Sequence, residues 1–153
     1  MSKLKEKIFV IDDDVYIGDM LEEALRKAGY EVFRAYSGTE ALLLLEKETP
    51  DLVLLDLMLP GLSGEEVLSK IREIPVIVVS AKSGLEDKVN LLMDGACDYL
   101  TKPFEIRELL ARIAVQLAAL KLSRPGAVII YDTVLTALFC SLGVFVFKKK
   151  DLK

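Results

Sequence analysis

Histidine is absent from this chain of 153 residues, and cysteine occurs only twice. Without histidine there can be no Ser-His-Asp or Cys-His catalytic site. Nor can the chain carry a phosphohistidine, so it is not itself a histidine kinase. Cys97 and Cys140 lie far apart with no CxxC spacing, which fits neither a zinc site nor a secreted disulfide framework. Two unpaired thiols in a cytoplasmic protein are the expectation. Aromatic residues make up 7% of the chain against 52% hydrophobic residues, so the core is aliphatic. A core of that size needs no disulfide or structural metal. Met1 to Lys7 is polar and is followed by only four apolar residues, which is not the pattern of a signal peptide.

The net charge of −4 hides an asymmetry. Residues 1–114 hold 22 acids and 14 bases, a net of −8, whereas residues 115–153 hold 2 acids and 6 bases, a net of +4. An acidic body argues against direct nucleic-acid binding by the first part.

Short apolar runs recur along the first 120 residues: Ile8–Ile11, Val32-Phe33 with Ala35, Leu52–Leu55, Val76–Val79 and Tyr99-Leu100. Each is bounded by Asp, Gly, Pro or Ser, as for strands buried on both faces. Between them lie stripes with helical spacing. These are Ile17, Met20, Leu21 and Leu25; Ala41, Leu42 and Leu45; Val67, Leu68 and Ile71; Val89, Leu92 and Met93; and Ile106, Leu109, Leu110, Ile113 and Leu117. Gly29, Pro50 and Gly95 mark helix ends. The expected fold is therefore α/β, a doubly wound five-stranded parallel sheet with helices on both faces. In such sheets the site lies beyond the carboxyl ends of the strands.

The residues at those ends are chemically pointed. The first run leads into Asp12-Asp13-Asp14, the third into Asp56, the fourth into Ser80-Ala81 and the fifth into Thr101-Lys102-Pro103. Taken singly, an Asp-Asp pair is usually a turn or a cap, and Lys-Pro is usually a loop. Together, the carboxylates repel unless a cation joins them. All-oxygen ligands with few protein contacts suit Mg²⁺. Lys102 offers a compact cation, Ser80 a hydroxyl donor, and Asp56 a centrally placed nucleophile.

The motifs Ile11-Asp12-Asp13, Leu55–Pro60 with Gly64, Val79-Ser80-Ala81 and Tyr99–Phe104, in that order and on that register, resemble the receiver (CheY-like) family of two-component response regulators over roughly residues 5–120. The resemblance implies a flavodoxin-like (βα)5 fold and a role for each matching position. Asp56 is the phospho-acceptor, Asp13 the direct Mg²⁺ ligand, Asp12 an acid acting through water, and Met58 a ligand through its carbonyl. Ser80 is the switch hydroxyl, Tyr99 the aromatic that moves behind it, and Lys102 the lysine on a phosphoryl oxygen, with a cis bond to Pro103. Asp14 has no family role and is read as a helix N-cap. A sensor histidine kinase is the implied phosphoryl donor. The chain would then be no enzyme towards outside substrates but would catalyse its own phosphorylation and dephosphorylation. A Mg²⁺-dependent phosphohydrolase is the rival; such enzymes usually carry a nucleophilic DxD at the first strand, whereas this acceptor follows the third.

Asp98–Ile113 resembles the OmpR/PhoB subfamily, whose members dimerise on phosphorylation through the fourth helix, fifth strand and fifth helix. Lys88, Asp98, Glu108 and Arg112 match charged members of that interface, while Cys97 and Ala119 stand where relatives carry an acid and a base. Transcription regulation is the output this implies; a stand-alone adaptor that binds a protein partner when phosphorylated is the alternative.

The expected organisation is a receiver over 1–120, a linker over 121–126 (KLSRPG) and a distinct segment over 127–153. In the subfamily a small antiparallel sheet follows the linker and opens a winged-helix domain, and Val144 to Leu152 resembles its end. On that reading the last segment is a partial output platform that stops before any recognition helix, so DNA is reached only through an output domain the chain does not contain complete. Ala127–Phe147 followed by three lysines also satisfies a membrane-span template, against which stand Asp132 and the β-branched and aromatic content. A tail packed on a partner chain is the third reading.

Overall fold

Short apolar runs closed by turn formers become strands, and the segments of helical spacing between them become helices. In the computed structural model, which describes residues 4–71 and 73–123, the order is β1 (Lys7–Ile11), α1 (Val15–Lys27), β2 (Glu31–Ala35), α2 (Gly38–Lys47), β3 (Leu52–Leu55), α3 (Gly64–Lys70), β4 (Val76–Ser80), α4 (Leu85–Met93), β5 (Asp98–Thr101) and α5 (Ile106–Leu122). Asp14, Ser37 and Ser63 cap the first three helices, their side chains accepting from the amides of Ile17, Glu40 and Glu66. Gly29 and Gly95 leave α1 and α4 at φ of 97° and 115°, a region that only glycine enters without strain.

All strand pairs are parallel, in the order β2-β1-β3-β4-β5. This is the flavodoxin-like (βα)5 sheet. The chain steps outward from β1 to β2 and then returns past β1 to β3, so the winding reverses between β1 and β3. Asp12 and Asp56 follow those two strands, which puts them at the topological switch point where open α/β sheets bind ligands.

Both sheet faces are buried. Phe9, Ile11, Val53, Leu55, Val76, Val78 and Tyr99 form one core with residues of α2, α3 and α4. The alternate positions Ile8, Val10, Leu52, Leu54, Ile77, Val79 and Leu100 are buried as well. That explains why the strands read as unbroken apolar runs rather than as alternating ones.

Two stripes differ from expectation. Val89, Leu92 and Met93 of α4 are exposed, and Leu91 is the residue that helix buries; Met20 of α1 is exposed too. α4 packs against β5, the edge strand, where only a narrow strip of sheet needs cover. The surplus apolar residues therefore face outward. α5 continues through Lys121 and Leu122, into the segment read as a linker. The apolar tail, with all three readings of it, lies outside the described residues. Among the described residues, no helix is long and apolar enough to cross a membrane.

Candidate functional site

At the switch point the backbone brings the two buried acids together. The Asp56 amide donates to the Ile11 carbonyl at 2.9 Å, and the Asp12 amide donates to the Ala35 carbonyl at 3.1 Å. Asp12 is 3% exposed and Asp56 is 8% exposed. Lys102 arrives after β5, its amide donating to the Ser80 carbonyl at 2.8 Å. Its ammonium then donates to Oδ2 of Asp12 and to Oδ2 of Asp56, each at 2.9 Å. The other carboxylate oxygens are held by amides: Asp12 Oδ1 accepts from Asp14 at 2.9 Å, and Asp56 Oδ1 accepts from Met58 at 3.1 Å. The bond from Lys102 to Pro103 is cis.

Asp13 is exposed beside this pair. Asp12, Asp13 and Asp56 each offer a carboxylate oxygen, and these oxygens lie within 4.8 Å of one another. Burial pushes the Asp12 carboxyl up and the Asp56 charge adds to that, against the pull of the Asp14 amide and Lys102. Burial lowers Lys102, but its bonds to Asp56 and Asp12 outweigh burial and the net direction is up. Three carboxylates face one ammonium, so negative charge is in excess. An all-oxygen set of this kind fits a hard, hydrated divalent cation such as Mg²⁺.

The loop after β3 is held tightly to α3. A Cβ at Gly64 would stand 2.4 Å from the Asp56 carbonyl oxygen and 2.4 Å from the Leu57 Cα. Only glycine lets α3 start so close to the Asp56 backbone. Its amide donates to the Leu57 carbonyl at 2.9 Å.

Ser80 is fully buried at the end of β4 and Tyr99 is buried on β5. Lys82 links them through its backbone: its amide donates to Ser80 Oγ at 3.3 Å, and its carbonyl accepts from the Tyr99 hydroxyl. Its ammonium lies 3.5 Å from Glu65 of α3. Burial raises the Tyr99 hydroxyl, opposed by the neighbouring Ser80 hydroxyl. Ala81, the residue after Ser80, is exposed. Sequence reasoning missed Lys82, and no signal for it existed, because its part is played by backbone atoms that any residue other than proline supplies.

The remaining candidates group on the α4, β5 and α5 side. Arg112 bonds Asp98 at 2.8 and 3.0 Å and Glu108 at 2.8 Å, all within one chain. The Lys88 ammonium stands 5.6 Å from the centre of the Tyr99 ring. Cys97 is pushed up to about 12, by burial first and by the charge of Asp98 second, and stays a thiol.

Known proteins share this fold. The family described as the response regulator receiver domain matches residues 8–114. A putative response regulator from Chloroflexus aurantiacus is 38% identical, over 75% of this chain and 99% of that one, with a TM-score of 0.71. A CheY-like response regulator receiver domain protein from Methanospirillum hungatei is 34% identical, over 75% and 95%, with a TM-score of 0.72. The BeF3-activated N-terminal receiver domain of RstA from Klebsiella pneumoniae is 30% identical, over 73% and 98%, with a TM-score of 0.70.

Proposed function

The chain belongs to the response regulator receiver domain family, and on that footing we propose that Asp56 accepts a phosphoryl group from the phosphohistidine of a sensor kinase, in a Mg²⁺-dependent reaction. One observation carries the reading: the buried Asp56 carboxylate is fixed by the Lys102 ammonium and the Met58 amide, next to two further acids. A phosphorus–nitrogen bond breaks, a phosphorus–oxygen bond to Asp56 forms, and the leaving imidazole takes up a proton. Mg²⁺, when bound, would neutralise the acids and the incoming phosphoryl oxygens. Asp13, Asp12, Asp56 and the Met58 carbonyl would hold it. Lys102 turns from a carboxylate to a phosphoryl oxygen, and its position fixes the line of attack. Ser80 donates to another phosphoryl oxygen, and Tyr99 follows it. The readout is a population shift on the face that carries Lys88, Asp98, Glu108 and Arg112. In the OmpR/PhoB-type reading that face joins two copies and the output is transcription.

The exposed apolar residues of α4, Leu85, Val89, Leu92 and Met93, also favour a second reading, a phosphorylation-dependent adaptor for a protein partner.

Incubation with acetyl phosphate and Mg²⁺, followed by intact mass, tests the common core of both. The wild-type protein should gain one phosphoryl mass and Asp56→Asn none. An Asp56→Asn protein that is modified at the wild-type rate sinks the proposal.

A further inference from the structure

Among the described residues, three buried side-chain polar atoms have no hydrogen-bond partner: Nε and Nη2 of Arg34, and Oγ1 of Thr101. The Arg34 guanidinium has an evident structural place. It bonds Asp19 at 2.9 Å through Nη1, lies 4.8 Å from the centre of the Tyr36 ring, and fills the space where a Cβ at Gly18 would be. Thr101 has no such account, and it stands beside the switch. It is the register partner of Ser80 across the β4–β5 ladder. Side chains alternate along a strand, so Ser80 shares a sheet face with Val76 and Val78, and Thr101 shares that face with Tyr99. The two hydroxyls therefore sit side by side on strands about 4.8 Å apart, within reach once their rotamers turn together.

We propose that Thr101 is a positioning residue for the phosphoryl switch: its hydroxyl donates to Ser80 Oγ when Ser80 gives its own proton to a phosphoryl oxygen on Asp56. The inference rests on Asp56 being the acceptor. A serine hydroxyl has one donor and two acceptor lone pairs. Ser80 is 0% exposed, so solvent does not serve those lone pairs. Among the described residues it accepts a long bond from the Lys82 amide, at 3.3 Å, while the Tyr99 hydroxyl beside it donates to the Lys82 carbonyl. Once Ser80 rotates, the Thr101 O–H is the unused donor next to it. The result is a chain, Thr101 O–H to Ser80 Oγ, then Ser80 O–H to phosphoryl oxygen, in which each bond polarises the next. An unpaired buried hydroxyl is unfavourable and a paired one is not. Thr101 thus supplies a contact that differs between the two states, which is what a population shift requires.

Thr101→Val removes the hydroxyl while keeping the shape and the β-branching that suit a strand. The experiment measures the thermal midpoint of the full chain with Mg²⁺, without and with increasing beryllofluoride, which stands in for the phosphoryl group. Thr101→Val should melt no lower than wild type without beryllofluoride. It should need more beryllofluoride for the half-maximal shift, by about five-fold, the scale of one net hydrogen bond. Thr101→Ser should restore the wild-type response. In a Ser80→Ala background, Thr101→Val should change nothing further, because the chain has lost its middle link. An unchanged beryllofluoride response in Thr101→Val overturns the proposal. So does a lower midpoint without beryllofluoride, or an equal loss in the Ser80→Ala background. A wild-type protein that neither responds to beryllofluoride nor gains phosphoryl mass overturns the Asp56 reading, and this inference with it.

Discussion

Lys102 and Arg112 each stand between two carboxylates, the first nearly buried and the second partly exposed. Lys102 lies 2.9 Å from both Asp12 and Asp56, with side chains 15%, 4% and 9% exposed. Arg112 lies 2.8 Å from both Asp98 and Glu108, with side chains 38%, 22% and 46% exposed. The distances are alike, but the alternatives open to each group are not. At the switch point the side chains are nearly buried, so water replaces a lost partner poorly, and Asp13 adds a third acid nearby. On α5, water can replace either partner, and so can a charged group from another protein. The first cluster stores unfavourable negative charge that a bound divalent cation would relieve. The second stores almost nothing and is free to exchange.

The largest break in this comparison should come from Lys102→Met. With EDTA present, stability to urea should fall by about 3 kcal/mol, the scale for removing one partner of a buried pair. Millimolar Mg²⁺ should recover much of the loss. A variant as stable as wild type in EDTA would show that the acids are already hydrated, and would erase the contrast. Gly64→Ala should be next, at about 2 kcal/mol, because its methyl meets backbone atoms that cannot rotate away. Asp12→Asn should have the opposite sign. Burial and the Asp56 charge oppose ionisation of Asp12, so neutralising it should stabilise the metal-free protein by about 1 kcal/mol and shrink the gain on adding Mg²⁺. Loss of stability in EDTA would mean that the Lys102 bond outweighs the desolvation of Asp12.

The strands were legible as apolar runs, and the Asp12–Asp56–Lys102 cluster because it depends on the kind of residue that follows each run. Asp14 was legible as a cap for the same reason. α4 was not. Val89, Leu92 and Met93 make a valid helical stripe, but spacing does not say which stripe meets the sheet, and at the edge strand the single residue Leu91 suffices. Lys82 and Thr101 were hidden for two different reasons. Lys82 acts through backbone atoms, and Thr101 matters only because the ladder places it opposite Ser80. The resemblance offers Lys88, Asp98, Glu108 and Arg112 as members of an interface between two copies; within the single chain Arg112 pairs with Asp98 and Glu108.

The smallest expected effect on stability belongs to Arg112. Arg112→Ala should change the stability of the monomer by less than about 1 kcal/mol, since both of its ion pairs are solvated. If phosphorylation joins two copies through this face, the same substitution should nevertheless weaken association. Within one chain, Arg112 loses little by leaving Asp98 and Glu108, because water takes its place. Across an interface, the same carboxylates are partly dehydrated by the second copy, and an ion pair made there contributes more. Sedimentation with Mg²⁺ and beryllofluoride, in the micromolar range, separates the cases. The wild-type protein should shift towards dimer, Arg112→Ala should shift less, and raised salt should narrow the difference as screening weakens the pairs. A wild-type protein that stays monomeric in beryllofluoride argues against a dimerising output and leaves the exposed apolar residues of α4 as the surface for a different partner. An Arg112→Ala protein that dimerises like wild type shows instead that the ion pairs stay within each chain and that apolar contact carries the association.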